Sequence, residues 1–148
     1  MTIVEVVLLS AEGGTLRFRT VSAPLPAGTH PDDLALHLSG LRLCTPGATL
    51  HSTSWRYAAG SVVLTYAALP DPAPSHTIPL SPDRMVIGGT ALTPSPPHVD
   101  ADAVAAHAAR HLALLASTDP VVADAVTDQP EIWDLLGKLP AGPAGALR

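Results

Sequence analysis

Residues 3–9, Ile3-Val4-Glu5-Val6-Val7-Leu8-Leu9, are apolar at every position but one, and their β-branched side chains favour an extended strand. After Glu12-Gly13-Gly14, residues 15–21 alternate polar and apolar, which sends Leu16 and Phe18 to one face and Arg17 and Arg19 to the other. The two runs predict a hairpin with one solvated face. Pro24 and Pro26 end it. A helix then starts with Thr29 as its cap, Pro31 in its first turn, and Asp32 and Asp33 near its positive end. Leu34, Ala35, Leu38 and Leu41 form its apolar stripe, and Gly40 stops it.

Residues 49–57 and 61–69 read as two further strands joined by Ala58-Ala59-Gly60, a three-residue hairpin loop with glycine at the left-handed position. Pairing Tyr57 with Ser61 sets His51, Thr53 and Trp55 on the face of Val63, Thr65 and Ala67. Ser52, Ser54 and Arg56 then lie beside Tyr66, Leu64 and Val62, and a one-residue slip would exchange the faces. Five prolines between residues 70 and 83 predict a loop, followed by a strand over residues 84–92 and a second proline-rich connector at 94–97.

From there the pattern turns helical. Asp100 caps a helix running to about Ser117, Asp119-Pro120 opens a second, and Asp128 with Glu131 resembles a capping box for a third that carries Ile132, Trp133, Leu135 and Leu136. Residues 139–148, rich in proline and glycine, read as a disordered tail after a single domain over residues 1–138. Strands first and helices last predict an α+β fold. Its expected form is a mixed or antiparallel sheet of about five strands, with one short inserted helix and a helical C-terminal segment on one sheet face.

Composition narrows the function. Of 148 residues only 14% are charged and the formal net charge is −5, so there is no basic field for nucleic acid or an anionic membrane surface. No run reaches the roughly 20 apolar residues of a membrane span. Cys44 is the sole cysteine, which rules out an internal disulfide and a CxxC site. The N-terminal run lacks a basic leader, and a cytoplasmic location is expected.

The opening hairpin, Leu25-Pro26-Ala27-Gly28, the short helix ending Leu38-Ser39-Gly40-Leu41 and the hairpin of residues 49–69 together resemble the order of elements in the Nudix fold. The resemblance covers residues 3–70. It implies a Nudix-like sheet with the inserted helix in the place of the family's catalytic helix. That helix resembles R-E-x-x-E-E, whose glutamates hold divalent metal against a pyrophosphate; here the three glutamates are at 5, 12 and 131, outside it. The expectation is a catalytically degenerate domain without pyrophosphohydrolase activity or resident cofactor.

Two constellations carry candidate chemistry. His107 and His111, four residues apart, share a helix face and offer two nitrogens to a divalent transition metal, with His51, His76 and His98 available as further ligands. That pattern defines an alternative, a metal-dependent enzyme; a hydrogen-bonded His111 at the core margin is the plainer account. Ser52, Ser54 and Arg56, with Tyr66 alongside, supply hydroxyls and a guanidinium suited to a carboxylate or phosphate. The competing account is a solvated strand face with Trp55 as a core anchor. His30, Asp33 and His37 read as a solvated stripe, and Cys44 as a buried thiol. Trp133 with Ile132 and Leu136 docks the last helix or, if exposed, a partner. The expected function is therefore binding of a small polar ligand or a protein partner, with a structural or interaction protein, including a homodimer, as the other alternative.

Overall fold

The computed structural model describes residues 1–42, 44–80 and 101–139. Five strands, β1 (Thr2–Glu12), β2 (Thr15–Pro24), β3 (Thr49–Ala58), β4 (Ser61–Leu69) and β5 (Ile78–Pro79), form one sheet in the order β3-β4-β1-β2-β5. β1 runs parallel to β4, and every other pairing is antiparallel, so the sheet is mixed. Among the described residues four helices complete the α+β fold: α1 (Pro31–Ser39), α2 (Ala101–Thr118), α3 (Pro120–Val126) and α4 (Pro130–Leu136).

The unbroken apolar run of β1 has a direct cause, because this strand is central and buried on both faces. Val4, Val6 and Leu8 pack with Tyr66 and Ala68 beneath Ala35 and Leu41 of the α1 region. Val7 and Leu9 join Leu16, Phe18, Ala67 and Leu69 on the opposite face, under α2 and α4. The C-terminal helices thus cover one face and the inserted helix the other. Alanines 103, 105, 106, 108 and 109 of α2 are buried. Alanine is the strongest helix former, and its small side chain lets the helix backbone settle near its neighbours. Among the described residues no helix is long and apolar enough to cross a membrane.

Several local expectations change. The β3–β4 loop has two residues rather than three: Ala58 pairs with Ser61, and Ala59 and Gly60 take φ of 50° and 81°. Two successive left-handed residues match the twist of a tight hairpin. α1 is capped by His30, not Thr29, its Nδ1 accepting from the Asp32 N–H at 3.0 Å. α4 starts after Gln129 without a side-chain cap, so the Asp128–Glu131 box does not form. Cys44 is exposed, in the loop between α1 and β3. The proline-rich loop contains β5, and Leu139, assigned to the tail, packs against the core. The strand expected over residues 84–92, the connector at 94–97 and the Asp100 cap lie outside the described residues, as do residues 140–148 of the tail.

Candidate functional site

The residues expected to face a ligand separate in space. The β3–β4 register runs Ser52↔Tyr66 and then Ser54↔Thr65, with Thr53 bulged out between them. An extra residue turns every following side chain to the other face. Ser52 therefore shares the α1 face with Tyr66, while Ser54 and Arg56 share the opposite face with Thr65 and Val63. The expected grouping of all four does not form. Trp55 moves to the α1 face and is 62% exposed, so it is no core anchor.

Arg56 is already engaged. Its guanidinium donates to both carboxylate oxygens of Glu5, at 2.9 and 3.1 Å, and to Thr65 Oγ1 at 3.2 Å. Tyr66, 5% exposed, donates its hydroxyl to Asp32 Oδ1. Burial first, and the Asp32 carboxylate second, hold the Tyr66 phenol well above its ordinary range. Both are structural ties: one crosses the sheet and the other fastens the first turn of α1 to β4.

The histidine pair gains a neighbour that spacing alone does not reveal. His51 of β3 lies against His111, with ring centroids 6.2 Å apart and planes inclined by 50°. Burial lowers the pKa of His107, helped by Arg110 and His111, and burial with His51 lowers that of His111. Among the described residues no three His, Cys, Asp or Glu side chains are placed to hold a metal ion. His98 lies outside the described residues, and His76 stands elsewhere, in the proline-rich loop.

A concave site occurs instead where β3 begins. A groove of about 510 Å³ runs between α1, the edge strand β3 and α3. Leu36, Leu50 and Val122 provide apolar surface, and Asp32, Asp33 and Asp119 provide three carboxylates. His51 also lines it, and among the described residues no lysine or arginine does. Two helix N-termini point toward the same place, since Asp32 and Asp33 lie in the first turn of α1 and Asp119 caps α3 by accepting from the Val121 N–H at 2.9 Å. Each helix end contributes only about half a positive charge, so the carboxylates dominate and the groove keeps a negative excess.

Its walls are held from outside the site. Gln129 Nε2 donates to the Pro46 carbonyl at 2.9 Å, tying the α3–α4 junction to the loop that enters β3. Gly47 makes this approach possible: with φ of 76°, a Cβ there would sit 2.7 Å from Gln129 Cγ and 2.9 Å from Asp128 Cβ. In the sequence Asp32 and Asp33 fit ordinary capping positions and Asp119 fits a helix start. Nothing in their spacing shows that α1 and α3 flank one strand edge from opposite faces. No protein-family model, curated protein or solved structure matches this chain.

Proposed function

We propose that this chain is a binding domain without catalytic machinery, whose site is the groove between α1, β3 and α3 and whose ligand is a small molecule carrying an amine or similar cation on an apolar body. The observation that carries the reading is a concave surface with three carboxylates against a single imidazole, His51, and, among the described residues, no lysine or arginine. An apolar floor with a few polar groups at its rim is the usual composition of a small-molecule site. A carboxylate or phosphate at the Ser52, Ser54 and Arg56 cluster is disfavoured because Glu5 engages the Arg56 guanidinium.

The order of hairpin, short helix and hairpin supports a Nudix-like kinship of shape alone. Glu5 is committed to Arg56, Glu12 ends β1 and Glu131 begins α4, so the glutamates do not gather on α1. Titration with spermidine and phenethylamine, set against matched carboxylates and nucleotides, tests the proposal by calorimetry. Amines should bind, Asp33→Asn should weaken them, and Arg56→Ala should leave their affinity unchanged. Selective binding of anions, or amine binding indifferent to the aspartates, would sink the reading.

A further inference from the structure

Strand β3 is one edge of the sheet, and no described element pairs with its outer side. Exposed edges are usually blunted by proline, lysine, outward charge or a bulge. β3 contains neither proline nor lysine, and its one charged residue other than histidine, Arg56, lies along the sheet and is neutralised by Glu5. The remaining device is the bulge at Thr53, which divides the edge into residues 49–52 and 54–58.

These two segments carry complementary surfaces on the α1 side. The first borders the groove through Leu50. The second projects Trp55 and Tyr57, 62% and 72% exposed, packed edge to face with centroids 5.5 Å apart. Two large aromatic rings side by side in water form the kind of apolar patch that marks a contact surface. A two-fold axis through the bulge would run residues 54–58 of one copy antiparallel to residues 49–52 of another. Opposed residues of an antiparallel pair share a sheet face, so each copy's rings would fall beside Leu50 and Ser52 of the other, at the open side of its groove.

We propose that a second copy of this chain is the partner of β3, and that the two copies join edge to edge into one continuous sheet with Trp55 and Tyr57 of each covering the groove end of the other. The four rings hold roughly 500 Å² of exposed surface in reserve. A stable interface buries about 1,200 Å² or more in total, so the rings supply a little under half and the paired strand edges are required to bury the rest. The contact is isologous, so it closes at two copies and does not propagate. The rings of a second copy would stand at the groove that the amine reading assigns to a ligand, so association is measured on the ligand-free chain and its failure leaves that reading untouched.

Sedimentation velocity on the full chain, from low micromolar to near-millimolar concentration, tests it together with acrylamide quenching of tryptophan. The expected result is a monomer–dimer equilibrium in which Trp55 becomes less quenchable as dimer forms. Replacing both rings, Trp55→Ser with Tyr57→Ser, should weaken association at least tenfold while circular dichroism, and Tm at concentrations where both chains are monomers, stay unchanged, since both side chains are exposed. A monomer at every concentration would overturn the proposal. So would a dimer whose strength is unaffected by the double substitution, because that dimer would use another face.

Discussion

Arg56 reaches Glu5 across an intervening strand, through two parallel hydrogen bonds of 2.9 and 3.1 Å that join the edge strand β3 to the central strand β1. Thr65 of β4 completes the bridge: its hydroxyl donates to Glu5 Oε1 at 3.0 Å and accepts from Arg56 at 3.2 Å. The Glu5 side chain is only 14% exposed, so removing its partner strands a carboxylate in a poorly hydrated place. Breaking fully buried pairs costs about 3–5 kcal/mol, and Arg56→Ala, in this partly hydrated pair, should cost about 2 kcal/mol in urea denaturation. Adding Glu5→Gln should recover part of that loss, which a merely solvated arginine would not show.

Gly47 is expected to be the least replaceable support of the groove, which it holds from outside. Gly47→Ala combines a left-handed backbone with a Cβ pressed against Gln129 and Asp128. Strain of this type costs about 1–3 kcal/mol, and the displaced Gln129 also loses its bond to Pro46. A lowered urea midpoint together with weakened amine binding is the expected outcome. Gly14→Ala shares the positive φ without any neighbour within 4 Å, and should cost less and leave binding intact.

Acid should loosen the contact between α2 and β3. Burial lowers the pKa of His107 and His111 in the folded protein, so on acidification the unfolded chain takes up protons first. Their contribution is complete above the unfolded value of about 6.5 and is lost as pH falls below it toward the folded values. Thermal melts from neutral pH downward should show Tm falling in that window. His111→Gln should flatten the dependence, because it removes one titrating ring and the charge it would set against His51.

Both hairpins, α1 and the C-terminal helices follow from periodicity and from Gly13-Gly14, Pro31 and Asp119-Pro120, signals that act within a few residues. The faces of β3 did not follow. The bulge at Thr53 is accompanied by a hydrogen bond from Thr53 Oγ1 to the Thr65 carbonyl at 3.2 Å, and neither it nor the two-residue turn is encoded in the alternation of residues 49–57. Arg19 shows the same limit: alternation places it opposite Phe18, but its buried partner Asp71, at 2.6 and 2.8 Å, lies in a proline-rich loop with no periodic pattern. The groove was hidden for a similar reason, since its three aspartates come from two helices brought together only by their common sheet edge.

Asp119 permits the structural and binding roles of a groove carboxylate to be separated. Its Oδ1 accepts from the Val121 N–H and so caps α3. Asparagine preserves that acceptor while removing the charge; alanine removes both. Asp119→Ala should therefore cost about 1 kcal/mol of stability, whereas Asp119→Asn should cost a few tenths. Amine affinity should respond differently, falling by a similar amount in both variants, about two- to fivefold for a partly hydrated ion pair. If affinity instead tracks stability, with asparagine binding as well as aspartate, the carboxylate serves α3 alone and the groove does not read charge at this position. Repeating the titration at high salt adds a second check, because screening should erase the wild-type advantage and leave the capping difference in place.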